Sequence, residues 1–207
     1  MADNDQERVL SAEAIVEWNG HVESVLRGIA HALNNRAAAL SALMELTSEP
    51  PEDAPVIRSI LGTELDRVQS LVGVLRSVAM RRGAVEAFTP GDAATEAAAV
   101  LDVVTELRDM TLRFDVQRAE PVRVARWMFV RSLIALGAGI STPSGAQGSR
   151  ITLRAGDEWL EVSASNTGQR ASLLVSELAS AMGGEVFADR YGFRIPTLAE
   201  LRRREGR

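Results

Sequence analysis

His31 is the residue of this 207-residue chain best placed to do chemistry. It lies in the run Gly28-Ile29-Ala30-His31-Ala32-Leu33-Asn34-Asn35, within an apolar pattern of Ile15, Trp18, Val22, Val25 and Ile29 spaced by three and four. With Val22 and Ile29 at heptad position a and Val25 at d, His31 falls at c and faces water. Asn35 follows one turn along on the same side. An imidazole presented outward on a helix is reachable by another protein, and its ring nitrogen is a nucleophile. On spacing alone the plainer reading, a solvated surface histidine, is the one to prefer.

The composition narrows what else the chain can do. It is 46% hydrophobic and 25% charged but only 4% aromatic, a balance that favours helices packed through aliphatic side chains. With no cysteine there are no disulfides or thiolate metal sites, in keeping with a reducing cytoplasm. His21 and His31 are the only two histidines and suggest no third metal ligand. A net charge of −5 argues against general affinity for nucleic acid. The polar start Met1-Ala2-Asp3-Asn4-Asp5 is no secretory signal, and no apolar run has the length of a membrane span. The expected location is therefore cytoplasmic. The basic tail Leu201–Arg207 reads as a frayed, solvated end.

Two halves are expected, 1–83 and 84–207. A first helix runs from about Ser11 to Thr47, its pattern resuming at Leu40, Leu43 and Leu46. The three prolines of Ser48–Pro55 break it. A second helix, about Val56 to Arg82, carries the seam Ile57, Leu61, Val68, Leu71, Leu75 and Val78, with Arg58, Glu64, Asp66, Arg67 and Arg76 outside. Together they form an antiparallel hairpin whose stripe is too one-sided to stand alone. A homodimer closing a four-helix bundle would cover it; packing on the chain's own second half is the alternative.

From Phe88 the rules change. Asp92–Asp109 reads as a helix, Thr111–Asp115 as a strand, and Val124–Ala138 as a helix rich in large apolar residues. Arg150–Arg154 and Trp159–Ser163 pair as a hairpin, Ala171–Met182 is helical and stops at Gly183-Gly184, and Glu185–Ala188 with Tyr191–Ile195 form a last hairpin. The fold class is α+β: the helical hairpin, then an α/β sandwich of one mostly antiparallel sheet with helices on a face.

Ile29-Ala30-His31-Ala32-Leu33-Asn34-Asn35 resembles the phosphoacceptor box of bacterial sensor histidine kinases, and the order of elements that follows is similar to their ATP-binding domain. The departures carry the functional reading. Where the family has its asparagine box, this chain reads Arg131-Ser132-Leu133-Ile134-Ala135-Leu136. Where the family has an adenine-binding aspartate and glycines, it reads Ser163-Ala164-Ser165-Asn166-Thr167-Gly168-Gln169-Arg170, with almost no loop for a lid. Ala32 replaces the acidic residue that draws off the imidazole proton. Arg36 replaces a proline, while Asn35 keeps an amide where the family places one near the phosphoryl group.

The resemblance thus implies a histidine phosphotransferase of a bacterial two-component phosphorelay, of the dimeric type with a degenerate ATPase domain and no autokinase activity. His31 would be the phosphoacceptor and Asn35 would position the phosphoryl group or a water. Arg27, Ala32, Asn34, Arg36, Ala38 and Ala39 are candidate contacts for response-regulator receiver domains. The chain would need no cofactor of its own, the magnesium being expected on the receiver. The alternatives are a non-catalytic module that binds receivers or a partner kinase, and a receiver phosphatase using Asn35.

Overall fold

A computed structural model describes residues 10–46, 54–79, 83–106, 112–117, 120–140, 149–165 and 171–206. The proline-rich turn, the run 141–148 and the Asn166–Arg170 stretch compared above with a nucleotide box lie outside them. Helix α1 spans Ala12–Leu46 without a break. Ser11 caps it, its Oγ accepting from the Ala14 N–H at 3.2 Å. Helix α2 spans Ala54–Ala79 and packs along α1. Starting two residues earlier than expected, α2 puts Pro55 in the first turn, where a missing N–H costs nothing.

The second half contains β1 (Val85–Phe88), α3 (Pro90–Glu106), β2 (Leu112–Gln117), β3 (Val122–Ala125), α4 (Arg126–Ile140), β4 (Ser149–Ala155), β5 (Trp159–Ala164), α5 (Leu173–Ala181), β6 (Glu185–Val186), β7 (Gly192–Pro196) and α6 (Leu198–Glu205). Five strands form a sheet in the order β2-β4-β5-β7-β6, parallel between β2 and β4 and antiparallel elsewhere. In β4, Ile151 and Leu153 face the core while Arg150 and Arg154 face water, the alternation of a one-sided sheet. Strands β1 and β3 make a second, two-stranded sheet that the sequence reading missed. Val122-Arg123-Val124 alternates as a strand does, so α4 starts at Arg126 rather than Val124.

Helix α4 is buried from Met128 through Gly137. A helix apolar all round must be covered all round. Here the sheet lies on one side, through Phe193 edge-on to Phe129 at 6.2 Å, and α1 on another, through Trp18 over Arg131. α3 and α5 flank it. The C-terminal segment is a capped helix and not a frayed end. Thr197 Oγ1 accepts from the Glu200 N–H, the Leu198 N–H donates to Pro121 O, and Arg203 pairs with Glu158 at 2.6 Å.

Helix α1 buries Ala14, Trp18, Val25, Ile29 and Ala32, with Val22 half-buried. Ile15, expected in the seam, is instead exposed. The phase is set by α3: a Cβ on Gly28 would stand 2.5 Å from Val103 O, so small residues must line that side. This inner stripe packs on the chain's own α3 and α5 as well as on α2. In α2 the buried line is Glu64, Leu71, Val74 and Val78, while Leu61 and Leu75 of the expected seam are exposed.

Candidate functional site

His31 is exposed, seventeen residues beyond the buried Ala14 on the same unbroken helix. Asn35 Nδ2 lies 3.2 Å from His31 Nε2. With the ring proton on Nδ1, Nε2 holds the lone pair and accepts from this amide. In that tautomer Nε2 is the nucleophilic nitrogen and Asn35 orients it.

Arg27, Asn34 and Ala38 are exposed on the same sector of α1 as His31 and Asn35. Arg27 is paired with Glu23 at 2.9 Å, an i,i+4 pair in open water. The other three candidate contacts are placed differently. Ala32 belongs to the core, at 9% exposure, because it lies on the inner stripe beneath Ile29; it is not a surface that a partner can touch. Arg36 turns toward α2, its Nη1 3.4 Å from Glu64 Oε2, so its charge is already matched inside the helix pair. Ala39 is half-buried.

Glu64 is the residue that sequence reasoning misplaced. Read as part of the solvent face, it is only 5% exposed, its carboxylate held between Arg36 of α1 and Arg67 one turn along α2. Amphipathic patterning assigns every carboxylate to the outside. The available signal was one basic residue at i+3 on its own helix and another on the facing helix at the same level.

Arg131 and Ser132 are buried in the middle layer. The Arg131 guanidinium lies 4.4 Å from the Trp18 ring centroid and 4.8 Å from that of Trp127. The Ser132 hydroxyl donates to Met128 O at 2.9 Å within its own helix. Among the described residues no group of three or more His, Cys, Asp or Glu side chains converges as metal ligands would. None of the described helices is long and apolar enough to cross a membrane.

No family model matches the chain, and no curated protein matches it. Among solved structures it is similar to the Acinetobacter baumannii histidine kinase AdeS, at 17% identity and a TM-score of 0.46, over 81% of this chain and 98% of that one. It is also similar to a histidine kinase from Burkholderia phymatum STM815, at 10% identity and a TM-score of 0.46, over 91% of this chain and 98% of that one. A third similar structure is the histidine kinase ThkA in complex with the response regulator TrrA, at 16% identity and a TM-score of 0.44, over 91% of this chain and 64% of that one. Likeness at this level fixes no residue-by-residue correspondence.

Proposed function

We propose that this protein is a histidine phosphotransferase that relays phosphoryl groups between receiver domains of a bacterial phosphorelay, drawing on no ATP of its own. The observation that carries the reading is the exposed His31 imidazole with the Asn35 amide at 3.2 Å on the same outward sector. In the forward step His31 Nε2 attacks the phosphorus of a receiver's phosphoaspartate. A P–N bond forms, the acyl P–O bond breaks, the aspartate leaves as a carboxylate, and the Nδ1 proton passes to water. The phosphohistidine then meets an unphosphorylated receiver and the step runs in reverse. The receiver supplies magnesium and the cationic groups around the phosphoryl oxygens; this chain supplies the nucleophile and its orientation. Asn35, released from Nε2, is left to donate to a phosphoryl oxygen.

The working unit of this proposal is a homodimer. Leu61, Leu65, Val68, Val72 and Leu75 follow one another at spacings of four and three along α2, and all but the half-buried Val68 are exposed. Ile15, Leu26 and Leu33 form a second exposed line on α1. A continuous apolar seam in heptad spacing is the pattern a second copy would cover by closing a four-helix bundle.

The test mixes the purified chain with a receiver phosphorylated at its aspartate with labelled phosphate. An acid-labile, base-stable label appearing on this chain and lost in His31→Ala supports the proposal. Labelling of the chain by magnesium-ATP alone, or transfer that survives His31→Ala, overturns it.

A further inference from the structure

Arg131 is a cation at 5% exposure in the centre of the molecule, on a largely apolar helix. Its guanidinium lies between two indoles, Trp127 from the preceding turn of α4 and Trp18 from α1. Guanidinium–indole contacts gain strength when water is excluded. The Trp18 contact joins two elements far apart in sequence, and Trp18 itself is 4% exposed.

Two further links join the same elements. The Ser11 N–H, at the start of α1, donates to Glu177 Oε2 of α5 at 2.7 Å. The Leu174 N–H, in the first turn of α5, donates to Glu17 Oε2 of α1 at 3.1 Å. Each helix therefore lends a carboxylate to the unsatisfied first turn of the other, where the helix dipole also favours negative charge. Above them, Gly28 admits the Val103 carbonyl of α3 at backbone distance.

An open pocket of about 120 Å³ lies where α1 meets α3 and α4, lined by Ser24, Val25, Leu101, Val104, Ile134 and the half-buried His21. Around it Trp18, Val25 and Ile29 of α1 are buried in the same core as α3 and α4, so the discrete links act together with that packing.

We infer that Trp18, Arg131 and Trp127, with the reciprocal Ser11–Glu177 and Glu17–Leu174 end caps, form a latch that fixes the N-terminal part of α1 on the α/β half. Closed, the latch sets the rotational phase of α1 and so the direction in which its exposed sector points. Open, it frees residues 11–29 while the sheet and its own helices stay folded. The latch is a local opening unit distinct from the global unfolding of the chain.

The molecule supplies its own control. Trp159, on the outer face of the sheet, is contacted in the same way by Arg194 at 4.8 Å and Arg204 at 5.3 Å. Hydrogen exchange resolved by segment, on the full chain, compares Arg131→Met, Trp18→Leu and the control Arg204→Met. The expected result is exchange about tenfold faster over 12–29 of α1 and the first turn of α5 in the first two variants, with β4, β5 and β7 unchanged. Arg204→Met should leave α1 as in the parent chain. Trp18→Leu lies outside the middle layer, so it keeps the test open should Arg131→Met fail to fold. Unchanged exchange in α1 for Trp18→Leu, or loss of protection in the sheet by the same factor as in α1, overturns the inference.

Discussion

Replacing Leu65 by glutamate separates the two apolar stripes of α2. Leu65 keeps 58% of its surface open in the single chain and faces away from Leu71, Val74 and Val78. Moving a leucine fully out of water is worth about 1.5–3 kcal/mol, so the surface still open is worth about 1–1.5 kcal/mol in each protomer. A two-fold interface counts it twice, giving about 2–3 kcal/mol. Introducing a carboxylate at each copy adds a desolvation cost of about 1–2 kcal/mol per site when the group is only partly buried. The sum, about 4–7 kcal/mol, corresponds to a dimer weakened by roughly 10³-fold or more. Sedimentation over a range of concentrations reads this directly. Far-ultraviolet circular dichroism should show the Leu65→Glu chain still folded, whereas Leu71→Glu, on the buried line, should not fold normally. If the parent chain sediments as a monomer up to about 100 µM, or if Leu65→Glu dimerises with unchanged affinity, the assignment of the outer stripe to a second copy is wrong.

Three other tests are open to measurement. His31→Ala should abolish phosphoryl transfer, while Asn35→Ala should slow it by roughly 10- to 100-fold with His31 still labelled, since positioning a nucleophile accounts for that order of effect. Equal and complete loss in both variants would place Asn35 in the chemistry itself. Glu64→Ala should destabilise the chain by about 1–3 kcal/mol in thermal or denaturant melts, because it leaves the part-buried Arg36 without its carboxylate between the helices, whereas Glu23→Ala, which breaks the open Glu23–Arg27 pair, should change stability by less than about 0.5 kcal/mol. Tyr191 is the only tyrosine, so phenolate absorbance reports it alone. Burial, aided by the nearby Glu17 charge, raises its pKa to about 12 from the ordinary 10.0. A raised value in the folded state means that its contribution is complete below pH 10 and is lost as pH rises from there toward 12, a dependence that Tyr191→Phe should remove. A folded chain titrating at the ordinary value would contradict the buried placement.

The sequence made the period of each element easier to read than its phase. Helices α1 and α2, the β4–β5 and β6–β7 hairpins and the stop at Gly183, whose φ of 74° suits glycine, follow from local pattern. The phase of α1 did not, because Ala14, Gly28 and Ala32 carry little hydrophobic weight yet lie on its buried side, where Gly28 admits Val103 of α3. Large side chains such as Ile15 looked like the seam and were turned to the neighbouring line. Strands β1 and β3 were missed for a different reason: each is four residues long, and their pairing is non-local, so neither has enough local pattern to stand out. Glu64 and Arg131 escaped for a third reason. Each is a buried charge whose compensation comes partly from another helix, the Arg36 guanidinium in one case and the Trp18 indole in the other.

These misreadings bear on the site, because α1 carries three lines and not two. One, through Trp18, Val25 and Ile29, is held by the chain's own second half. A second, through Ile15, Leu26 and Leu33, is apolar and open. The third holds Arg27, His31, Asn34 and Ala38, with Asn35 at its edge. A helix has only one circumference, so once a second copy covers the open line, the third is the only sector of α1 left to solvent. The placement of His31 then follows from the two apolar lines rather than from the histidine. Shifting the register of α1 by a single residue between Trp18 and Ile29 should bury His31 or break the core. An insertion there that left both folding and phosphoryl transfer intact would show that the phase of α1 does not govern access to the imidazole.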